Sequence, residues 1–412
     1  MIKLCDFIHV QLDKSTPHAV TAALVDLSKA YNSASHHQVI EDLHAMHAPG
    51  WLLAILISYL TQRQLIVRYK QTTSTPRTLD SGATQGCKAG NIIFIVRFNG
   101  ALLRPPIPRP ITGNRAMQAK YIDDQTVASS INLKNSLKPD HSIRPKPLNF
   151  HERLGLRIDP DEDVLQSELN RFHTFVSQNH FSVNQKKSVV MLFSKSRTLD
   201  FPPEYRIGQS EILSEKSCSK LLGVKLNNQL TYDDNTQYIV RRTNKKLWLL
   251  RRLRQIGLDE RTVLKYWVGE CRPRLEYLAP LWTGSLTINQ SRTIDAVQRS
   301  ALAICLDGGW GLTYSEALAR AGLERLDTRR LKLARRWGEA TSKLPGQDFF
   351  VPNPRLTINP RSAKKTQRFL EPSCRTNRRK RSAIPYITQL MNQSGGSTTL
   401  RITTNSGRVI EA

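Results

Sequence analysis

The chain has 412 residues, enough for two or three domains, but only 39% of them are hydrophobic, which suggests that part of the chain is not packed. Its 61 Lys and Arg residues outnumber 34 Asp and Glu residues, and a net charge of +27 is unfavourable unless a polyanion such as nucleic acid neutralises it.

The apolar runs 51–60 and 92–96 are too short to span a bilayer, and the N-terminus has no signal-peptide pattern, so we expect no membrane partner. The six cysteines form no C-x-x-C pair, so we predict neither a zinc site nor a disulfide framework, and we expect a reducing, intracellular setting in the nucleus and cytoplasm.

The first predicted strand covers residues 19–27 (AVTAALVDL), an apolar run with Asp26 near its end. A carboxylate at the C-terminal end of a buried strand can bind a metal, whereas an Asp at this point can also be a helix cap. A helical stretch follows, and its apolar residues recur on one face: Leu52, Ile55, Leu56, Tyr59 and Leu60.

Residues 63–78 are predicted to form exposed strands, and the segment 81–90 brings three glycines into ten positions. Glycines let a backbone approach a flat ligand closely, although any glycine-rich turn before a helix has a similar composition. The apolar stretch 92–96 then predicts a helix packed under a sheet.

Two adjacent carboxylates, Asp123 and Asp124, lie between segments that suit two short strands, 117–121 and 126–128. This pattern predicts a hairpin with the acids at its tip. Adjacent like charges repel, and a bound cation would remove the repulsion, because hard oxygen ligands suit Mg²⁺ or Mn²⁺. The alternative is an acidic surface turn, since Asp is common in turns.

Further along, residues 163–180 have helical spacing, and residues 181–194 suit a turn and a strand. Asp233 and Asp234 directly follow Tyr232 and precede a helix, so we interpret them as acids at a helix N-terminus. The predicted apolar face of that helix consists of Val240, Leu247, Leu250, Leu253 and Ile256.

The other faces of this helix carry bases and no acid, which favours a nucleic-acid backbone as partner over a solvated helix face. The bases are Arg241, Arg242, Lys245, Lys246, Arg251, Arg252 and Arg254. More helices are predicted around 262–267, 288–306 and 314–342. Residues 361–381 hold nine Lys or Arg and one acid, so we predict a disordered basic tail in which residues 378–381 serve RNA contact or nuclear import.

In order along the chain, these residues resemble the motifs of a reverse transcriptase. The matching motifs are Asp26 with Tyr31, Thr84-Gln85-Gly86, Tyr121-x-Asp123-Asp124, Asn184-x-x-Lys187-Ser188 and Leu221-Leu222-Gly223. The closest resemblance is to the non-LTR, LINE-like retrotransposon type, and it runs from about residue 15 to about residue 344. The chain departs from the family pattern at Asn32, Ala83-Thr84 and Cys87, where an acid, Val-Pro and Ser are usual.

The resemblance implies a catalytic site in which Asp26, Asp123 and Asp124 bind two Mg²⁺ or Mn²⁺ ions for nucleotidyl transfer. It also implies a steric gate at Tyr31 against a ribonucleotide 2′-hydroxyl. Contacts to the incoming nucleotide and template are implied for Gln85 and Gly86, and a contact to the triphosphate for Lys187. The implied partners are an RNA template, a DNA primer and deoxynucleoside triphosphates.

The implied fold is α/β (α+β), with a palm of ferredoxin-like antiparallel sheet at 1–230, a helical thumb at 231–345 and a disordered basic tail at 346–412. The implied function is that of an RNA-directed DNA polymerase. One alternative is a decayed retroelement product that binds nucleic acid without polymerising. Another is a nucleotidyl cyclase, which the missing Gly-Gly-x-x-Phe turn disfavours. Because 25 residues precede Asp26, we expect the N-terminal fingers to be truncated and the chain to polymerise poorly alone.

Overall fold

The computed structural model describes residues 1–15, 18–28, 31–83, 88–103, 116–121, 124–132, 165–195, 204–208, 211–354, 367–393, 401–403 and 409–411. The chain divides into two compact units. We call Thr16–Ser217 the sheet unit, and Met1–Ser15 with Cys218–Ala412 the helical unit. Within the described ranges, no helix combines the length and the apolar character needed to cross a bilayer.

The strands are β1 (His18–Ser28), β2 (Gln64–Leu65), β3 (Arg68–Tyr69), β4 (Thr72–Thr73), β5 (Arg77–Thr78), β6 (Ala116–Tyr121), β7 (Asp124–Asn132), β8 (Ser182–Val183), β9 (Val189–Phe193), β10 (Arg206–Ile207), β11 (Glu211–Ile212), β12 (Ser214–Glu215), β13 (Cys218–Leu221), β14 (Val224–Asn227), β15 (Arg401–Thr403) and β16 (Val409–Glu411). The α-helices are α1 (Ile2–Leu12), α2 (His36–Ala45), α3 (Gly50–Leu60), α4 (Lys88–Leu103), α5 (Leu165–Gln178), α6 (Asp233–Gln255), α7 (Glu260–Tyr266), α8 (Arg272–Glu276), α9 (Ala279–Trp282), α10 (Ile288–Cys305), α11 (Tyr314–Ala321), α12 (Leu326–Thr341), α13 (Asn377–Lys380) and α14 (Ala383–Asn392). A π-helical turn, Trp267–Cys271, joins α7 to α8.

The main sheet of the sheet unit has the strand order β12-β9-β1-β7-β6, and β8 also pairs with β1. The strands β9, β1, β7 and β6 run antiparallel to one another, and the edge strand β12 runs parallel to β9. With helices between β1 and β6 and between β7 and β9, the connectivity is βαββαβ, the ferredoxin-like arrangement. The predicted α/β class with a ferredoxin-like antiparallel sheet is confirmed.

The sheet core forms because β1 is apolar along almost its whole length. Its residues from Ala19 to Val25 are all buried, as expected for a central strand with neighbours on both sides. The helix α5 covers the sheet with apolar residues at helical spacing: Leu165, Leu169, Phe172 and Val176. The predictions of a strand near 19–27, a helix within 163–180 and a strand at Val189–Phe193 are confirmed.

The helices α2, α3 and α4 form a second apolar cluster in the same unit. Its buried members include Val39, Leu60 and Ile93. The apolar face predicted for α3 is only partly buried, because Leu56 is 7% exposed whereas Ile55 is 57% exposed. The sequence of α3 is apolar on all sides, so its apolar spacing does not select one buried face.

In the helical unit, the basic helix α6 buries Ile239, Leu247 and Leu250. Ile256, predicted on the buried face, is 72% exposed, because the buried stripe starts at Ile239 and the helix ends before it returns to Ile256. The helix predicted over 314–342 is interrupted. Gly322 adopts the left-handed conformation (φ 62) at the C-cap of α11, which separates α11 from α12.

The predicted disorder of the tail is wrong for residues 367–393. This segment contains α13 and α14, and α14 packs against α1 and α12 with Ile384, Tyr386 and Ile387 buried. A glycine in α12 permits this close approach, because a Cβ at Gly338 would lie 2.5 Å from Ile387 Cγ2. The basic run predicts disorder by its charge, but the apolar residues that follow it form a helix with a buried face.

The predicted role of residues 378–381 in RNA contact is corrected for two of the four bases. Arg379 is 5% exposed and forms an ion pair with Asp6 of α1 at 2.5 Å. Arg381 donates hydrogen bonds to the backbone carbonyls of Gly284 and Leu286. These guanidinium groups bind the protein itself and are not available to a nucleic-acid backbone.

Candidate active site

The end of β1 and the start of β7 bring two of the predicted carboxylate residues together. Asp26 pairs with Asp124 in the β1–β7 register, and Tyr121 pairs with Asp124 across the β6–β7 hairpin. The predicted hairpin is therefore present, and Asp123 lies outside the described residues. Residues directly opposite in an antiparallel pair have Cβ atoms about 4.5–5.5 Å apart, and like charges there are destabilising. The register thus sets the backbones of two acidic residues opposite each other at this end of the sheet.

The Asp26 carboxylate has an oxygen that the surrounding side chains leave unsatisfied. Its Oδ2 atom is buried and has no hydrogen-bond partner among the described residues, although the side chain as a whole is 21% exposed. Lys187 Nζ lies 3.4 Å from this oxygen, an ion-pair distance without hydrogen-bond geometry. Because the Lys187 side chain is 69% exposed, solvent weakens this charge contact.

This environment fits a divalent cation. A buried oxygen without a hydrogen bond costs about 1–3 kcal/mol, and carboxylate oxygens are ligands that Mg²⁺ and Mn²⁺ prefer. Among the described residues no group of three or more His, Cys, Asp or Glu side chains could hold a metal, and Asp123, the third predicted ligand, is not one of these residues. The observation that bears on metal binding is therefore the unsatisfied oxygen of Asp26.

A turn between β8 and β9 holds the backbone of Asp26. The Asn184 N–H donates to the Asp26 carbonyl at 2.7 Å, and the Asp26 N–H donates to Ser188 Oγ at 3.1 Å. Ser188 Oγ in turn donates to the Asn184 carbonyl at 2.8 Å. Ser188 is the last residue of the motif that starts at Asn184, but the sequence assigns it no role of its own, because no pattern in the sequence links it to a strand 162 residues away.

Tyr31 lies just after β1 and is packed against α4. Its ring stacks on Phe94 with a centroid distance of 4.6 Å, and its hydroxyl donates to Asn91 Oδ1 at 3.1 Å. The Tyr31 carbonyl accepts a hydrogen bond from the Ala83 N–H at 2.7 Å, which ties it to the glycine-rich segment. Tyr31 is partly buried between two apolar clusters, so both a gate and a core tyrosine agree with its position.

Two of the predicted nucleotide contacts, Gln85 and Gly86, lie outside the described residues. The third, Lys187, has an exposed side chain whose ammonium group is next to Asp26. The structure therefore brings together Asp26, Asp124 and Lys187, with Tyr31 following β1 in the chain.

The helix α6 exposes most of the bases that the sequence singled out. Arg241, Arg242, Lys245, Arg251 and Arg252 are exposed and Lys246 is half-buried, and none of them has a carboxylate partner among the described residues. Arg254 differs, because it forms an ion pair with Asp307 and donates to the Leu258 carbonyl. Six of the seven predicted bases thus remain available to an external anion, since Arg254 alone is neutralised.

Aromatic side chains are interleaved with these bases. The Arg242 guanidinium lies over the Tyr238 ring and donates to its hydroxyl at 3.0 Å. A hydrogen bond from Lys220 and the nearby charge of Arg242 lower the pKa of Tyr238. Trp248, 61% exposed, lies under the Arg252 guanidinium. A basic surface that includes an exposed ring, here that of Trp248, can bind both the phosphates and the bases of a nucleic acid.

The interpretation of Asp233 and Asp234 as helix N-terminal acids is confirmed. Both lie in the first turn of α6, where a negative charge is favoured by the helix dipole. Asp234 Oδ2 accepts a hydrogen bond from Asn227 Nδ2 at 2.9 Å, and Asp233 accepts one from Gln290. Both carboxylates therefore accept hydrogen bonds from residues of the helical unit itself.

Comparisons with known proteins agree with the resemblance to a reverse transcriptase. A family model described as reverse transcriptase (RNA-dependent DNA polymerase) matches residues 3–226, which is more than half of the chain. A relative, the probable RNA-directed DNA polymerase from transposon BS of Drosophila melanogaster, is 22% identical over 290 residues. The alignment covers 69% of this chain and 29% of that protein, so the chain spans less than a third of this relative's length.

Two solved structures with some likeness are telomerases. The structure of apo telomerase from Candida tropicalis has a TM-score of 0.41 and 12% identity, and the match covers 81% of this chain and 48% of that chain. Telomerase from the same organism in complex with a TWJ fragment of telomeric RNA has a TM-score of 0.40 and 9% identity, covering 81% of this chain and 45% of that chain.

Proposed function

The chain belongs to the reverse transcriptase (RNA-dependent DNA polymerase) family, and from that premise we propose that it catalyses RNA-templated DNA synthesis at the Asp26 site. The observation that carries the proposal is the β1–β7 register, which pairs Asp26 with Asp124, together with the buried, unsatisfied Oδ2 atom of Asp26. A carboxylate pair at the end of two central strands has no structural advantage without a cation, because the charges repel.

Asp26, Asp123 and Asp124 would hold two Mg²⁺ or Mn²⁺ ions. When bound, these ions would stabilise the attacking primer 3′-hydroxyl as an oxyanion and the charge on the leaving pyrophosphate. The chain's own contribution is to fix the Asp26 backbone from both sides, by β7 and by the Asn184–Ser188 turn. Fixed ligands bind a metal without a further cost of ordering them.

The nucleotide would lie beside this carboxylate site. Lys187 has an exposed ammonium group close to Asp26, which suits a contact to the triphosphate. Tyr31 is held by Phe94 and Asn91, and a braced ring can exclude a 2′-hydroxyl as a steric gate. Gln85 and Gly86 would contact the nucleotide and template, by their match to the family motif.

The proposed partners are an RNA template, a DNA primer and deoxynucleoside triphosphates, and the proposed surface for the nucleic acid is α6. Bases without a carboxylate partner among the described residues, next to half-buried Tyr238 and exposed Trp248, support this assignment. In the family the corresponding region is the thumb, so we propose a palm in the sheet unit and a thumb that includes α6.

We also propose, from the order and identity of the motifs, that the source is a non-LTR, LINE-like element. The setting expected from the cysteines is intracellular, in the nucleus and cytoplasm, and the cysteines within the described ranges are all free thiols.

The central test compares three acid-to-amide variants in primer extension on an RNA template with Mg²⁺. Asp26→Asn and Asp123→Asn should each lower the extension rate by about a hundredfold or more, because each removes a ligand for ions that contribute several kcal/mol. Asp234→Asn is the matched control, since its oxygen bonds Asn227 at the start of α6.

RNA binding, measured by fluorescence anisotropy, should survive in all three variants because it rests on α6. If the Asp123→Asn variant extends the primer at the wild-type rate, Asp123 is not a metal ligand needed for catalysis. RNA binding by the unmodified chain without any extension, also after an upstream fingers segment is added, would favour the decayed, binding-only product.

Tyr31 can be tested as a gate separately from the metal site. Tyr31→Ala should raise ribonucleotide incorporation relative to deoxyribonucleotide incorporation, because the clash with the 2′-hydroxyl is removed. A core tyrosine without a gating role would lower both rates together with the unfolding temperature. The ratio of the two incorporation rates decides between these outcomes, and Phe94→Ala, which removes the stacking partner, is the control for lost packing.

A further inference from the structure

The strand β1 changes partners on one side at Asp26. Its residues Val20–Leu24 pair with β9, whereas Leu27 and Ser28 pair with β8. Asp26 lies between these ladders and has no strand residue opposite it on that side. The turn from Asn184 to Ser188 fills the break and takes over the hydrogen bonds of the Asp26 backbone.

Ser188 replaces the missing strand partner by a side-chain hydroxyl. The single hydroxyl proton is donated to the Asn184 carbonyl at 2.8 Å, so a lone pair is left to accept the Asp26 N–H at 3.1 Å. Ser188 is fully buried (0% exposed), so bulk water does not reach this hydroxyl to take its place. The geometry therefore ties the N–H of Asp26 to one oxygen atom.

We propose that Ser188 is a positioning residue that sets the place of the Asp26 carboxylate for metal binding. The inference rests on the proposed function of Asp26 as a metal ligand and adds a residue that orients it. Without the hydroxyl, the Asp26 N–H loses its acceptor, and the hydrogen bond from the Asn184 N–H is left to hold the Asp26 backbone to this turn. Groups that orient a ligand in this way typically change metal affinity about 10–100-fold when removed.

The test measures Mn²⁺ binding directly, from the signal of the free ion in electron paramagnetic resonance, with no nucleotide or primer present. The full chain is compared as wild type, Ser188→Ala, Ser188→Cys and Asp26→Asn. Ser188→Ala should raise the Mn²⁺ Kd about tenfold or more, and Ser188→Cys should fall between it and wild type, because sulfur is a weak acceptor. Asp26→Asn should remove the site.

Ser129→Ala is the matched control. Ser129 is also fully buried in the main sheet, but its hydroxyl has no hydrogen-bond partner among the described residues. This variant should bind Mn²⁺ like wild type. Thermal unfolding of each variant separates loss of the site from loss of the fold, and Ser188→Cys decides the question if Ser188→Ala does not fold.

Each result distinguishes the two proposals. Wild-type Mn²⁺ affinity in Ser188→Ala, with the site lost in Asp26→Asn, overturns the role of Ser188 and leaves the metal site standing. Equal weakening in Ser129→Ala and Ser188→Ala overturns it as well, since the effect would then be general loosening of the sheet. Binding that survives Asp26→Asn overturns the proposed function and this inference together.

Discussion

Two basic regions of the helical unit carry similar charge and use it in opposite ways. The helix α6 presents Arg241, Lys245 and Arg252 to solvent without a carboxylate partner among the described residues. The C-terminal segment around α13 instead buries Arg379 against Asp6 and uses Arg381 to bind backbone carbonyls. Both regions were predicted from the sequence to contact nucleic acid.

The difference shows what a count of charges leaves out. A guanidinium group bonded inside the protein stabilises the fold and is lost to an external anion. An exposed, unpaired group contributes little to stability and remains free to bind phosphate. Whether a base is bonded inside the protein depends on whether an acid lies within reach of it. Near the C-terminal segment such acids are present, because Asp6 and Asp13 of the N-terminal region both contact it. The two regions should therefore respond to mutation in different measurements.

The largest expected effect is on stability, from Arg379→Ala. Removing this buried guanidinium leaves Asp6 without its partner, and breaking a buried pair typically costs about 3–5 kcal/mol. The free energy of unfolding in urea measures this loss, while RNA affinity per folded molecule should stay unchanged. Arg242→Ala on α6 is the control and should leave stability within about 0.5 kcal/mol. If a folded Arg379→Ala variant lost RNA affinity, the C-terminal segment would also bind RNA, and the contrast with α6 would be wrong.

A smaller stability effect is expected from pH, through His9 on α1. Burial, then the charges of Arg379 and Arg378, lower the pKa of His9 from 6.5 to about 3, against a weaker opposite effect of Asp13. Below pH 6.5 the unfolded chain binds a proton at His9 that the folded chain does not, so stability is lost as the pH falls toward 3.

The difference between pH 7 and pH 5 should be about 2 kcal/mol from this one group. Urea unfolding of wild type and His9→Gln at the two pH values isolates it, because the variant lacks the proton site and should show a smaller pH dependence. Parallel curves for the two proteins would show that His9 is not buried as a neutral group.

The next effect concerns RNA affinity, which we expect to fall when exposed bases of α6 are replaced. Replacing Arg241, Lys245 and Arg252 together by Gln removes up to three phosphate contacts. The slope of log K against log salt should then fall by about 2–3, and affinity at about 100 mM salt by about tenfold or more, without a change in unfolding temperature. Anisotropy titrations with a labelled RNA–DNA hybrid at several salt concentrations measure both quantities.

The smallest expected effect, within the same helix, is that of Arg254→Gln. Its guanidinium group is paired with Asp307, so its removal should leave the salt slope of binding nearly unchanged and reduce stability modestly. A change of slope as large as that of an exposed base would show that the Asp307 pair opens when RNA binds.

The prediction of the fold from sequence succeeded where spacing along the chain is the physical cause. An apolar run gave β1, apolar residues at helical spacing gave α5, and paired acids between strand-forming residues gave the β6–β7 hairpin. It failed for α14, because a basic run that predicts disorder directly precedes this apolar helix. It also failed for the break at Gly322, a single residue inside a longer periodic pattern.

The sequence by itself therefore determined the family, the order of the elements and the set of candidate acids, because motif order and local periodicity are properties of the chain. Only the tertiary structure decided which acid faces Asp26, since strand register sets that pairing, and which oxygen holds the Asp26 backbone, since Ser188 lies 162 residues away. The tertiary structure likewise decided which bases are available to an external anion, because Arg379 is bonded to Asp6, a residue 373 positions away in the sequence. Contacts of this kind form only when distant segments pack together, and no local pattern in the sequence encodes them.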